Sequence, residues 1–155
     1  MLSRIYLAKD ISILNKLQMT SLKKGNSSTF AWMQSVLNYI ESLPKSQCEM
    51  LLFLYDYFDA FPTVEAKYRY KIPFYFQKSW ICYTAPKKNG DVELVFLRGS
   101  ELSPYPFLES RGRKMVKGIL YKSRDEILLE TIEPVLMEAL QLDLTVSYKL
   151  KKLKK

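Results

Sequence analysis

The sequence contains no histidine, which removes the commonest neutral-pH proton carrier together with the commonest metal ligand. Triads and dyads built on an imidazole are excluded. Cysteine is scarce as well: Cys48 and Cys82 are the only thiols, one in a helical stretch and one in a strand, without the paired spacing of a zinc site or a redox motif. Both read as buried small hydrophobes, although spacing alone leaves a bridge between them open. Long apolar runs are missing, since nothing approaches the ~20 residues that a membrane span requires. The opening MLSRIYLAKDISILNKL is interrupted by Arg4, Lys9, Asp10 and Lys16 and so lacks the apolar run of a signal peptide. A soluble cytoplasmic protein is expected, with no membrane contact, no metal and no cofactor.

What is present points to a folded chain. Its 155 residues suit one domain that buries a continuous core unaided. With 48% hydrophobic and 14% aromatic residues, the composition is far from that of a disordered chain. The net charge of +8 invites a nucleic-acid reading, so its placement matters. Residues 1–29 hold Arg4, Lys9, Lys16, Lys23 and Lys24 against Asp10, a surplus of four; Lys149, Lys151, Lys152, Lys154 and Lys155 add five at the other end. Residues 30–148 are therefore at −1, and the basic excess is terminal. Inside that segment, residues 67–88 carry six bases and no acid, and residues 111–124 carry six more and no acid, while the acids gather on the expected helices. Internal pairing between the two sets is the default reading.

Three regions follow from this organisation: an N-terminal extension and linker over 1–29 ending in KKGNSST, a domain over 30–145, and a basic tail over 146–155. Ile5, Leu7, Ile11, Leu14 and Leu17 form a short amphipathic piece suited to packing on the domain or on a twin subunit. Phe30, Met33, Val36, Leu37 and Ile40 recur at helical spacing up to Pro44, and Cys48, Leu51, Leu52, Tyr55 and Phe58 mark a second helix over 46–58. In KYRYKIPFYF, residues 67–76, Lys67, Arg69 and Lys71 alternate with Tyr68, Tyr70 and Ile72, which predicts one strand with a wet and a buried side. Pro73 places that strand at an edge or bends it there. Trp80 to Tyr83 and Val92 to Leu97 read as further strands, joined by a type I′ hairpin turn at Asn89-Gly90. Lys114 to Tyr121 reads as another. Ser123 and Glu126 spell a capping box for a last helix running through Ile132, Leu136 and Leu140, with Pro134 expected to kink or split it. The expected fold is α+β, a short antiparallel sheet of four to five strands packed against helices in the order helix, helix, strands, helix.

This order of elements, with LPKSQCEMLLFLYDYFDAFPTVEAKYRYKIPFYF, the WICY and ELVFLRG strands, ESRGRKMVKGILYKS and a closing helix, resembles the domain-of-unknown-function family 1801, the YdhG-like proteins. The resemblance covers about residues 30–145 and rests on that order and on the K-x-P-x-F pattern at Lys71, Pro73 and Phe74. It implies a small cytoplasmic α+β domain of unsettled biochemistry. Some of these proteins carry a frataxin-like iron-chaperone label, which implies an acidic metal-binding face; this chain is basic and its acids, such as Asp56, Asp59 and Glu65, are scattered, so the iron role is not carried over.

The candidate site is a set of bases and rings. Lys67, Arg69 and Lys71, with Arg98, Arg111, Arg113 and Lys114, suit an anion or partner surface, or else they are the solvated side of an edge strand whose charges discourage further pairing. The second account is the favoured one, because charge on a strand's wet side is ordinary. Tyr75, Trp80, Tyr83 and Phe107 suit either a base-stacking platform or, preferably, the core. Glu93 or Glu101 as a base and Cys82 as a nucleophile have no surrounding catalytic motif. The leading expectation is a non-enzymatic binding or accessory module that presents a sheet face to a protein partner or a small anionic ligand, with a homodimer first among partners; the alternative is nucleic-acid binding through the tail and the basic strand segments.

Overall fold

A computed structural model describes residues 27–146, with side chains from residue 31 onward. The amphipathic N-terminal piece and the basic tail from residue 147 lie outside the described residues. Helix α1 spans Ser27–Glu41 and buries Met33, Val36, Leu37 and Ile40, the three-and-four spacing of a single helix face. Pro44 then stands just ahead of α2, Lys45–Asp59, where its missing amide is no loss and its carbonyl accepts from Cys48 N at 2.8 Å. From α2, Met50, Leu51, Leu54, Tyr55 and Phe58 are buried, each contributing on the order of 1.5–3 kcal/mol to folding.

Five antiparallel strands follow in a plain meander: β1 Glu65–Arg69, β2 Ile72–Phe76, β3 Trp80–Pro86, β4 Val92–Phe96 and β5 Lys117–Tyr121. Helix α3, Leu129–Thr145, closes the fold. Among the described residues the architecture is α+β, three helices and a five-stranded antiparallel sheet, as expected from the chain.

The first correction concerns KYRYKIPFYF, which is a hairpin and not one strand. Tyr70 and Lys71 take positive φ of 49° and 63°, the two-residue turn whose twist suits adjoining strands, and Arg69 pairs with Ile72 across it. The turn reverses the parity of the alternation: Ile72, expected beside Tyr68 on the buried side, pairs with Arg69 and shares the face of Lys67, while Tyr68 pairs with Pro73 on the other. Pro73 consequently lies in an interior strand, β2. It is tolerated because it pairs with Tyr68 in the non-hydrogen-bonded position next to the turn, and the ladder to β3 starts only at Phe74.

Two other turns differ from expectation. Among Lys87 to Asp91, only Gly90 has positive φ, 96°; its amide reaches Lys87 O at 3.1 Å and Lys87 N reaches Asp91 O at 2.7 Å, so the chain turns through Lys88 and Asn89 before a left-handed glycine. The capping box at Ser123 and Glu126 is not formed. Ser123 precedes and Glu126 ends a single 3-10 turn, Arg124–Glu126, whose Glu126 carboxylate accepts from Lys122 N at 2.7 Å, and Arg124 lies 3.3 Å over the Phe53 ring of α2. Pro134 does not split α3, which runs on through it; its ring is on the exposed side, where water can satisfy the carbonyl left without an amide.

One face of the sheet meets the helices. Tyr75, Cys82, Leu94, Phe96, Ile119 and Tyr121 share it and join the core with α2 and α3; the Tyr75 ring is 4.5 Å from Phe58. Two polar side chains fasten layers together from buried positions. Gln47 donates from Nε2 to Lys87 O and Asp91 O, at 2.7 and 3.1 Å, tying α2 to the β3–β4 turn. Asp143 of α3 accepts from Gln77 Nε2, Lys78 N, Ser79 N and Ser79 Oγ, gripping the β2–β3 turn.

Both sheet margins are occupied. Helix α1 runs beside β1, with Tyr39 and Tyr68 5.3 Å apart, and Glu109 forms a two-bond bridge to Gly118 on β5. The β1 edge is thus flanked by the chain's own helix.

Candidate anion-binding sheet face

Because paired residues in antiparallel strands point to one side, register alone assembles the second face: Glu65, Lys67 and Arg69 on β1, Phe74 and Phe76 on β2, Trp80 and Tyr83 on β3, Glu93 and Val95 on β4, and Gly118 on β5. A bulge at Tyr75/Phe76 lets Trp80 pair with Phe76, so Ile81 and Cys82 both turn to the core. Phe74 and Val95 are buried yet stand outside the main core cluster. This face has a small apolar cluster of its own.

Phe74 is its centre, 7% exposed because other rings cover it. Tyr83 stacks on it at 4.9 Å with 29° between planes, Trp80 meets it edge-on at 5.4 Å, and Tyr70, at the turn, stands 5.6 Å away and is 79% exposed. Phe76 packs on Trp80 at 5.2 Å. Over these rings lie the two β1 bases. Lys67 Nζ is 4.3 Å from the Phe76 centroid, 5.1 Å from Trp32 on α1 and 5.9 Å from Trp80, and the Arg69 guanidinium is 5.2 Å from Trp80 and 5.8 Å from Tyr70. Ring quadrupoles attract a cation without cancelling its charge, so Lys67 and Arg69 keep their positive character toward a ligand.

A second group of bases surrounds Glu93, whose side chain is 2% exposed. Arg113 holds the carboxylate with two nitrogens, Nη1 at 3.2 Å and Nη2 at 2.6 Å, while Lys87 Nζ is 3.2 Å and Arg111 Nε 3.7 Å away. Arg111 also pairs with Glu109 at 3.2 Å. The left-handed pair Arg111-Gly112, with φ of 50° and 77°, folds this loop back, and Arg113 Nε braces it by donating to Ser110 O at 3.0 Å. Gly118 makes room for the carboxylate: a Cβ there would stand 3.0 Å from both Cγ and Cδ of Glu93. Burial pushes the Glu93 carboxyl up, but hydrogen bonds from Arg113 and Lys87 and their charges more than offset this, leaving it below the usual value. Burial likewise pushes the Tyr83 phenol up, against a pull from Arg113, which places Tyr83 between the two groups.

Of the residues singled out from the sequence, the fold brings Lys67, Arg69 and Trp80 together on this face, and sets Arg111 and Arg113 on it around Glu93. Lys71 is exposed in the turn at its end, and Lys114 is exposed just beyond the arginine loop. Two leave the set. Tyr75 faces the helices and is 1% exposed, so it cannot touch a ligand. Arg98 is buried as a tether, donating to both Glu101 oxygens at 2.7 and 2.9 Å and to Val146 O at 2.7 Å, beyond the end of α3. Phe107 lies 5.5 Å from Tyr105, whose hydroxyl donates to Glu138 of α3, away from this face.

The carboxylates and thiol weighed as catalytic groups are all otherwise engaged. Arg98 holds the Glu101 carboxyl below its usual value, Glu93 is clamped as described, and burial pushes the Cys82 thiol far up. Cys48 and Cys82 are unbridged. Among the described residues, no group of three or more Asp, Glu or Cys side chains is placed to hold a metal ion, and no helix is long and apolar enough to cross a membrane.

Sequence reasoning missed the role of Glu93 and of Lys87. The signal was there: one acid inside the apolar run VELVF must be paired if buried, and RGR is the segment that supplies partners. Comparison of the chain with protein-family models, with curated proteins and with solved structures gives no match.

Proposed function

We propose that this chain is a non-enzymatic binding module that presents the sheet face turned away from the described helices to an anionic ligand. We also propose its placement beside the YdhG-like proteins, on the element order and the Lys71, Pro73, Phe74 pattern. The observation that carries the binding reading is the setting of Lys67 and Arg69: both are held over aromatic rings, while the ion pairs among the described residues fall on Lys87, Arg98, Arg111 and Arg113. Five bases, Lys67, Arg69, Lys87, Arg111 and Arg113, share the face and its rim with Glu65, Glu93 and Glu109, which leaves a positive surplus. Rings fix where the cations stand, so their donors are already placed for a phosphate or carboxylate group.

Titration of the full chain with inorganic tripolyphosphate, followed by backbone amide shifts, tests this reading. Saturable shifts confined to residues 67–83 and 109–113 are expected, weakened at least tenfold by Lys67→Gln combined with Arg69→Gln. Shifts limited to the basic tail overturn it.

A further inference from the structure

Resting on that anion-binding reading, we propose that the ligand class of this face is single-stranded nucleic acid, laid across the strands from β1 toward β4. The face has cations at two ends and rings between. Lys67 and Arg69 stand over β1 and β2, Lys87, Arg111 and Arg113 gather at Glu93 on β4, and Phe76, Trp80, Phe74 and Tyr83 fill the interval. Three inter-strand steps of ~4.8 Å span about 14 Å. At ~3.4 Å per stacked nucleotide, that length takes about four residues of a single strand, the low end of the roughly 4–16 nucleotides that small sheet domains engage.

The rings select a strand with its bases free. Phe76, Trp80 and Tyr83 are half-buried with part of each ring open and Tyr70 protrudes from the turn, so unstacked bases can lie against them, and the Arg69 guanidinium over Trp80 adds a planar cationic surface of the kind bases also stack on. In a duplex the base faces are hidden, and only the phosphates would be met.

Charge argues against the other occupants. A second copy would set one positive face against another. The undescribed segments of the chain carry surpluses of four and five positive charges, so neither complements this surface. An acidic protein would satisfy the cations and leave the row of rings without a partner.

The test uses the full chain. In a Trp32→Phe background Trp80 is the sole tryptophan, and its fluorescence is expected to be quenched saturably by oligo(dT). Trp80→Leu is expected to weaken oligo(dT) binding roughly 5- to 150-fold and, because the ring also seats Arg69, to weaken tripolyphosphate binding by a much smaller factor. Lys67→Gln with Arg69→Gln is expected to reduce the slope of log affinity against log salt by about 1.4, about 0.7 for each lost phosphate contact. Thermal melting checks that each variant is folded; if Trp80→Leu is not, Tyr70→Ser, at the exposed turn, and Phe76→Leu take its place. Oligo(dT) affinity unchanged by the ring variants, a duplex bound more tightly than the single strand, or polyglutamate bound as tightly as oligo(dT) each overturns the proposal. If tripolyphosphate still requires Lys67 and Arg69 while the oligonucleotide arms fail, only the nucleic-acid assignment falls. If tripolyphosphate binding does not need them, the anion-binding reading falls as well.

Discussion

Replacing Glu93 by Gln keeps the shape of the side chain and removes the charge that three bases surround. The carboxylate accepts from Arg113 at 3.2 and 2.6 Å and stands 3.2 Å from Lys87 Nζ. Breaking a fully buried pair costs about 3–5 kcal/mol. Here the cations are 30–42% exposed and water recovers part of their solvation, so the loss is nearer that of one charged hydrogen bond, about 2 kcal/mol. For a chain of this size that lowers the melting midpoint by about 4–8 °C.

The pH dependence has a definite sign. The folded Glu93 carboxyl lies below its ordinary 4.5, so its contribution is complete above that value and is lost as the pH falls through the folded one. The gap between wild type and Glu93→Gln is therefore full at neutral pH and shrinks in acid. Gly118→Ala extends the test, since its Cβ meets Glu93 Cγ and Cδ at 3.0 Å and meets neither once Glu93 is Ala. Urea denaturation of wild type, Glu93→Ala, Gly118→Ala and the double variant is expected to give a coupling of about 1 kcal/mol or more. Additivity within about 0.5 kcal/mol, or a gap that widens on acidification, refutes the clamp described here.

Asp143→Asn replaces an acceptor of two backbone amides with a group that also donates, and is expected to cost about 2 kcal/mol. Burial raises that carboxyl, but bonds from Ser79, Gln77 and Lys78 take it below its ordinary 3.8, so in urea titrations the cost should be full above that pH and fade below it. Lys71→Gly relieves a left-handed φ of 63° and should raise stability by up to about 1 kcal/mol in the same assay; a loss of stability contradicts the turn at Tyr70-Lys71. With Ellman's reagent, half-buried Cys48 is expected to react in the native state and Cys82 only on unfolding, and equal rates would count against the burial assigned to Cys82.

Much of the architecture was legible in the chain. Period-three-and-four spacing in 30–40 and 48–58 marked two helices that bury Met33, Val36, Leu37, Ile40, Leu51, Leu52, Tyr55 and Phe58 but leave Cys48 half-buried, and the alternation around Lys67 marked strand structure whose wet side, Lys67 and Arg69, is the sheet face turned away from the core. The misreading of KYRYKIPFYF shows where such patterns stop: the residue types go on alternating to Ile72 although the two-residue turn exchanges the two sides, and Tyr-Lys carries none of the glycine or asparagine that usually marks one. The capping box failed for a related reason. Ser123 and Glu126 were claimed by a separate 3-10 turn, and the helix began at Leu129.

The site divides the same way. That Lys67, Arg69 and Trp80 occupy one face follows from strand period and register, local properties that side-chain order largely determines. That Arg111 and Arg113 come to Glu93, that Arg98 turns inward to Val146, and that Tyr75 packs on Phe58 depend on which strands become neighbours and which face the helices cover. Sequence alone determined the helical and strand periods, the want of imidazole chemistry and the gathering of bases in two segments, because these are set by residue type and spacing. Only the tertiary structure decided which bases are neutralised by acids and which rest on rings, because charge pairing acts across distances in space that the order of residues along the chain does not record.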